Sequence, residues 1–209
     1  MQFLAHRGFW EKPAEKNSPA ALRRALADGF GVETDLRDAA GQLVIAHDLA
    51  GPGAQAADDF FAQYKETKST ATLALNIKAD GLRGLLKTLL PRHGIKNYFC
   101  FDMSAPETLC YQREGLRFFT RESEIETAPV LYAEAAGIWL DMFKSDWVTP
   151  TVIEKHLRAG KEVALVSPEL HKRPHLPYWE TLRAAGLGKN PSVLLCTDYP
   201  QAAKTFFHD

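Results

Sequence analysis

Two carboxylates, Glu33 and Asp35, stand inside an apolar run of this sequence, VETDL. Residues two apart on a strand share one face and lie about 6.6 Å apart at the usual rise per residue. Two neighbouring buried carboxylates repel each other unless a cation or a proton lies between them. Oxygen ligands without cysteines or a histidine cluster favour Mg²⁺ or Ca²⁺ over Zn²⁺. We therefore predict a divalent-cation site at this pair.

Two histidines and two cationic residues close neighbouring apolar runs. His6 and Arg7 follow QFLA, His47 ends LVIAH, and Lys78 ends LALNIK. Two histidines can supply one acid and one base near neutral pH, and arginine and lysine bind phosphate oxygens. With a hard cation, this set is typical of phosphodiester cleavage. An amidohydrolase-type metal barrel is disfavoured because it requires HxH in the first run, and the sequence has Leu4-Ala5-His6.

Eight short apolar runs alternate with longer amphipathic segments along the chain. The runs cover residues 2–6, 32–36, 73–78, 98–103, 117–121, 137–143, 162–170 and 193–199. Residues 43–47 form a return limb, hairpinned onto the second run through Gly41-Gln42. This alternation predicts an α/β fold, a single (β/α)₈ TIM barrel over residues 1–209, with its chemistry at the carboxyl ends of the strands. A doubly wound open sheet is the alternative, although no GxGxxG follows a strand.

Helix signals separate these runs. Ser18-Pro19 supplies an N-cap and a proline at the first helical position, and Gly29 ends that segment. Ser104 and Glu107 have capping-box spacing before a segment that ends at Gly115. Further helices are predicted over residues 57–66, 150–160, 177–186 and 200–207. Residues 50–56 are the most loop-like stretch.

Composition excludes several classes of partner. The 25 Lys and Arg nearly balance the 26 Asp and Glu, so global charge predicts no binding to nucleic acid or to an anionic membrane surface. The three cysteines are scattered, as expected of core residues in a reducing compartment. The N-terminal residues lack the apolar core of a signal peptide, and no run approaches the roughly 20 apolar residues of a membrane span. We expect a cytoplasmic protein without stable membrane insertion.

Residues 5–48 resemble the N-terminal signature of the glycerophosphodiester phosphodiesterase family, within the phospholipase C-like phosphodiesterases. The family pattern runs HRG, PENT, E-x-D and HD. Its counterparts here are His6-Arg7-Gly8, Asn17-Ser18, Glu33-Thr34-Asp35 and His47-Asp48. The resemblance continues more loosely through LALNIK, FCFDM and CTDYP, and so extends over essentially the whole chain.

The resemblance implies a role for each of these residues. His6 and His47 would be the general acid and base, and Arg7 and Lys78 would hold the phosphate of a small-molecule glycerophosphodiester-like substrate. Glu33, Asp35 and Asn76 would bind one divalent cation, Mg²⁺ or Ca²⁺. Two alternatives stay open: a lyase or transferase of the same superfamily that forms a cyclic phosphate, and a phosphate-binding barrel without turnover.

Three departures from the family pattern stand out. Asn76 replaces the glutamate of the family's E-I-K strand, which removes one negative charge and predicts weaker ion binding. Glu169, Asp102 and Asp48 are candidates to compensate. Lys16 replaces the glutamate of PENT, and only residues 49–72 separate HD from the third strand, which predicts a more open mouth.

The segment Ser167–His175 groups His171, Lys172, Arg173 and His175 after the seventh run. Two interpretations apply to it: a solvated basic loop, or a lid that faces phosphate or sugar. Polar residues also end other runs, at Asp102, Asp141 and Asp198. A cap on the last helix is the simpler reading of Asp198.

Overall fold

The computed structural model describes residues 1–208, in which strands alternate with helices as the sequence predicts. The strands are β1 (Gln2–His6), β2 (Gly31–Ala39), β3 (Gln42–Ile45), β4 (Gln55–Ala56), β5 (Leu73–Ile77), β6 (Tyr98–Phe101), β7 (Phe119–Glu122), β8 (Gly137–Leu140), β9 (Glu162–Val166) and β10 (Val193–Thr197). The helices are α1 (Pro19–Ala27), α2 (Ala57–Glu66), α3 (Arg83–Arg92), α4 (Ala105–Arg113), α5 (Pro150–Arg158), α6 (Leu176–Ala184) and α7 (Pro200–His208). The predicted α/β class is confirmed.

The described residues divide into two compact units. One unit holds residues 5–118, and the other holds residues 1–4 with the described residues from Phe119 onward. Strand β1 therefore starts in one unit and ends in the other. The single domain expected over residues 1–209 stays a prediction.

In the unit formed by residues 5–118, β2 is the strand that carries the predicted carboxylates. It pairs in parallel with β5, whose other neighbour is β6, and antiparallel with β3, as the predicted hairpin requires. Ala40 and Gly41 make the hairpin turn with φ of 49° and 76°. Every residue of β5 is buried, and Asp35 stands opposite Asn76 in the β2–β5 register.

In the second unit, β7, β8, β9 and β10 pair in parallel in that order. The seventh predicted run was too long: β9 ends at Val166, and Pro168 begins a short 3₁₀ helix, Pro168–His171. Proline has no N–H to offer a strand ladder, which accounts for the early end. The core of this unit includes the buried side chains of Trp179, Val163 and Leu195.

The helix caps follow the sequence in part. Ser18 accepts a hydrogen bond from Ala21 N at 3.2 Å, and Ser104 accepts one from Glu107 N at 3.3 Å. The Glu107 side chain, which a capping box would direct to the N-cap, accepts hydrogen bonds from Gly81 N and from Arg83. These bonds connect α4 to the start of α3.

Two general expectations can be compared with the structure. Cys100 and Cys196 are buried free thiols, as expected of core residues, whereas Cys110 is half-buried. Within residues 1–208, no helix combines the length and the apolar character needed to cross a membrane.

Candidate active site

The turn after β1 sets the position of His6 and Arg7. Arg7 and Gly8 both adopt left-handed backbone angles, with φ of 57° and 88°. A Cβ on Gly8 would lie 2.7 Å from the backbone carbon of Ala21 in α1, so only glycine fits there. The turn therefore packs tightly against α1 and places His6 and Arg7 at the end of β1.

Arg7 and His6 both approach Glu33 on β2. The backbone N–H of Arg7 donates to Glu33 O at 2.9 Å and lies 3.2 Å from Glu33 Oε2. His6 Nε2 stands 4.0 Å from the same carboxylate oxygen. The glutamate thereby connects the end of β1 to β2 through both its main chain and its side chain.

Asp35 is the centre of the charged cluster. Its side chain is 1% exposed, and two cations lie against it: Arg7 Nε at 3.1 Å from Oδ2 and Lys78 Nζ at 3.3 Å from Oδ1. The predicted pair of buried carboxylates is confirmed, since Glu33 and Asp35 are 2% and 1% exposed. Arg7 and Lys78 therefore compensate part of the negative charge of this pair.

Protonation of Glu33 is the second way in which the repulsion between the two carboxyl groups is relieved. Burial raises the pKa of Glu33 to about 8, and the neighbouring charge of Asp35 acts in the same direction, while Arg7 and Lys78 oppose it. The raised pKa favours the protonated form of Glu33 in the absence of an added cation, which relieves the repulsion between the two carboxyl groups.

Asn17 joins both strands of this site. Its side-chain N–H donates to Asp35 Oδ2 at 2.8 Å, its Oδ1 accepts from the Thr34 hydroxyl at 2.8 Å, and its backbone N–H donates to Arg7 O at 2.8 Å. The sequence placed Asn17 in the PENT-like motif without indicating a role. Its left-handed backbone, with φ of 60°, is a conformation that asparagine tolerates better than most residues.

Asn76 supplies an oxygen next to Asp35. Paired residues on parallel strands project to the same face of the sheet, so the Asn76 and Asp35 side chains leave β5 and β2 together. Within residues 1–208, Asn76 Oδ1 is buried and accepts no hydrogen bond, whereas Asp35 Oδ1 is buried with Lys78 Nζ as its ion-pair partner at 3.3 Å. A buried oxygen such as Asn76 Oδ1 fits a ligand that accepts its lone pairs.

These donors meet the requirements of a hard cation. Two carboxylates and one amide oxygen are the ligand types of Mg²⁺ and Ca²⁺. Across residues 1–208, no group of three or more His, Cys, Asp or Glu side chains is placed to hold a metal ion. The Asn76 amide oxygen lies outside those residue types and is a further oxygen beside the two carboxylates.

His47 lies on a more exposed part of the site. Its side chain is 44% exposed, and Nδ1 stands 2.9 Å from Asp48 Oδ1. The hydrogen bond and charge of His47 lower the pKa of Asp48, and the charges of Arg7 and Arg37 contribute in the same direction. The Asp48 carboxylate therefore lies within electrostatic range of the cluster through Arg7.

Glu169, a proposed compensating ligand, has other partners in its own unit. Its carboxylate accepts hydrogen bonds from the hydroxyls of Ser167 and Thr197 and from Asp198 N. These bonds connect the start of the 167–175 segment to the end of β10. Asp48 and Asp102 are the other two candidate ligands. Asp48 pairs with His47, and Asp102 follows β6 with a left-handed φ of 67°.

Two cations of the 167–175 segment, His171 and Arg173, contact the loop that follows β8, whereas Lys172 is exposed. His171 Nε2 lies 2.6 Å from Asp141 Oδ1, and Arg173 donates to Met142 O at 2.7 Å and pairs with Asp146. His171 therefore has a raised pKa, with the Asp141 hydrogen bond as its main cause. These contacts connect the 167–175 segment to the loop that follows β8.

Comparison with known proteins identifies the class of this fold. No family model matches the sequence, and no curated protein matches it. Solved structures match throughout the chain, and they show the fold of the glycerophosphodiester phosphodiesterase barrels. The predicted (β/α)₈ TIM barrel and the resemblance seen in the sequence are confirmed as statements about the fold.

Three solved structures illustrate the match. A glycerophosphodiester phosphodiesterase from Agrobacterium tumefaciens has 17% identity and a TM-score of 0.73 over 98% of this chain and 99% of its own. An Oleispira antarctica phosphodiesterase in complex with the product sn-glycerol-3-phosphate has 16% identity and a TM-score of 0.73 over 100% and 97%. A Ca²⁺-dependent phosphatidylinositol-specific phospholipase C from Streptomyces antibioticus has 10% identity and a TM-score of 0.59 over 99% and 95%.

Proposed function

We propose that this chain is a phosphodiesterase that hydrolyses a small glycerophosphodiester-like substrate with the help of one divalent cation. One observation carries the proposal: three separate segments of the sequence form a single charged cluster, in which His6, Arg7 and Lys78 surround the buried carboxyl groups of Glu33 and Asp35. The shared fold with solved phosphodiesterases, one of them bound to sn-glycerol-3-phosphate, supports the substrate class.

The cationic residues are suited to bind the substrate's phosphate. The side chains of Arg7 and Lys78 are 24% and 20% exposed, so each stays partly accessible while it pairs with Asp35. Such preorganised cations stabilise the charge that develops on a phosphate during substitution. The geometry therefore supports the phosphate-binding roles predicted for Arg7 and Lys78.

The two histidines differ in environment, as an acid and a base do. His6 is 15% exposed and lies beside Glu33, whereas His47 is more exposed and is oriented by Asp48. In the proposed reaction one histidine takes the proton of the attacking water, and the other protonates the leaving alkoxide.

Glu33, Asp35 and Asn76 are the residues that would hold the cation. A bound Mg²⁺ or Ca²⁺ would add Lewis-acid stabilisation to the phosphate charge. The buried oxygen of Asn76, which accepts no hydrogen bond, supports this ligand set. Asp35 also holds Arg7 and Lys78, so one carboxylate would orient both the cation and the phosphate-binding side chains.

The test is hydrolysis of a generic phosphodiester with Mg²⁺, with Ca²⁺ and with a chelator. We expect cation-dependent turnover by the wild type and a loss of about 10²-fold or more in His6→Ala and His47→Ala. His93→Gln is a matched control because His93 pairs with Asp58 and not with the cluster. Unchanged activity in both His6→Ala and His47→Ala would contradict the proposal.

A substrate hydroxyl could replace water as the nucleophile, giving a cyclic phosphate. The fold similarity to the Streptomyces phospholipase C supports this second candidate. Product analysis separates the two reactions, because a cyclic phosphate and a phosphomonoester differ in their phosphorus resonances. Binding of phosphate without any turnover would instead favour a binding barrel.

A further inference from the structure

Arg37 extends the functional face of β2 beyond Asp35. Side chains alternate along a strand, so residues 33, 35 and 37 of β2 project to one face. Arg37 is half-buried, and its Nε is fully buried and has no hydrogen-bond partner among residues 1–208. Arg37 therefore continues the series that Glu33 and Asp35 begin on this face of β2.

The charge of Arg37 is compensated differently from that of Arg7 and Lys78. Each of those two cations lies within ion-pair distance of Asp35. Within residues 1–208, Arg37 has no carboxylate oxygen within 4.0 Å; its Nη2 lies 3.5 Å from the carbonyl oxygen of His47. A hydrogen bond of that length contributes little.

Arg37 also lies beside the other charged groups of the site. It bonds to the main chain of His47, whose side chain pairs with Asp48. Arg7 and Arg37 both act electrostatically on Asp48, so both cations lie in the surroundings of that carboxylate. The Arg37 guanidinium thus connects the carboxylate series of β2 with the predicted acid-base residue His47.

The buried Nε of Arg37 lacks the hydrogen-bond partner that buried polar groups ordinarily have, and an anion would provide one. The planar fork of donors on the guanidinium matches phosphate oxygens. We propose that Arg37 binds the anionic phosphodiester of the substrate, as the third cationic contact and the one whose charge no side-chain carboxylate already offsets. This inference rests on the proposed function and extends its binding site.

The test compares Arg37→Gln and Arg37→Lys with wild type. Arg23→Gln is the control, since Arg23 is exposed on α1 and loses the same charge. The measurements are KM and kcat for the phosphodiester and, by calorimetry, the Kd of sn-glycerol-3-phosphate. Thermal unfolding checks that each variant is folded.

We expect Arg37→Gln to raise KM and Kd about tenfold or more, as for a lost hydrogen bond to a charged group, with a smaller change in kcat. Arg37→Lys should recover part of this loss, and Arg23→Gln should equal wild type. KM and Kd within twofold of wild type in Arg37→Gln would overturn the inference.

The calorimetric measurement distinguishes a failure of the hydrolase assignment from a failure of the role proposed for Arg37. If the wild type binds sn-glycerol-3-phosphate without turnover and Arg37→Gln binds it more weakly, the role of Arg37 stands and the hydrolase assignment fails. If the wild type turns over the phosphodiester and Arg37→Gln retains the same KM and Kd, the hydrolase assignment stands and the role of Arg37 fails.

Discussion

The side-chain amide of Asn17 donates a 2.8 Å hydrogen bond to Asp35 Oδ2, the same oxygen that lies 3.1 Å from Arg7 Nε. The Thr34 hydroxyl donates to the other end of the Asn17 amide and so fixes which end faces Asp35. Asn17 therefore orients the carboxylate that pairs with both Arg7 and Lys78.

Replacing Asn17 by alanine should lower both activity and stability. The change removes two part-buried side-chain hydrogen bonds and places alanine at a left-handed φ, so we expect a loss of about 1–3 kcal/mol in unfolding free energy. We also expect kcat/KM to fall more than in Asn97→Ala, which removes an exposed asparagine bonded to Thr70 O. Chemical denaturation and steady-state kinetics measure both effects; equal kinetics in the two variants would contradict an orienting role.

Gly8 and Gly81 form a matched pair for testing the turn after β1. Both have φ of 88°, but a Cβ on Gly8 would meet the backbone of Ala21, while one on Gly81 would have nothing within 4 Å. Gly81→Ala should cost only the conformational penalty of about 1–2 kcal/mol. Gly8→Ala should cost clearly more and should also reduce activity, because α1 or the His6-Arg7 turn must move. Similar unfolding free energies for the two variants would refute the packing argument.

Asn76→Glu should restore the charge that the family pattern has at this position. A third buried carboxylate increases repulsion when no cation is bound and strengthens cation binding. We expect a lower Tm than wild type in EDTA and a larger rise in Tm when Mg²⁺ or Ca²⁺ is added. Asn76→Ala should show the smallest rise of the three proteins. An identical cation-dependent rise in all three would remove Asn76 from the ligand set.

Glu33 should make the stability of the cation-free protein depend on pH. Its carboxyl has a pKa of about 8 in the folded state against an ordinary value of 4.5, so the folded state binds more protons between these limits. Its contribution to stability is complete below about pH 4.5 and is lost as pH rises through about 8. In EDTA, Glu33→Gln should flatten the pH dependence of the unfolding free energy over this window. The exposed Glu66→Gln serves as the control, and an unaltered slope in Glu33→Gln would contradict the assigned protonation.

The elements of the site were predictable because local patterns encode them. The spacing of Glu33 and Asp35 within an apolar run indicated one buried face, and Gly41 indicated the hairpin that brings His47 back along β2. Ser18-Pro19 marked the start of α1. By contrast, α3 begins after Leu82 without a side-chain cap, so the sequence offered no signal for its start.

The charge compensation of the site was not predictable. Repulsion between the carboxylates required a cation or a proton, and the residue types alone favoured a metal ion. The structure shows that Arg7 and Lys78 both reach Asp35, a result of strand register and of the left-handed turn at Arg7. The two-residue periodicity of a strand could have placed Arg37 on the same face as Glu33 and Asp35. That no carboxylate pairs with Arg37 depends on the folded arrangement and could not be read from the sequence.

The most direct test of the proposed hydrolysis is phosphorus NMR of a glycerophosphodiester incubated with the wild-type protein and Mg²⁺ or Ca²⁺. We predict that the diester resonance is replaced by that of a phosphomonoester, that no cyclic phosphate accumulates, and that the conversion stops in EDTA. A diester resonance that persists unchanged with either cation, in a folded protein, would contradict the assignment of this chain as a phosphodiesterase.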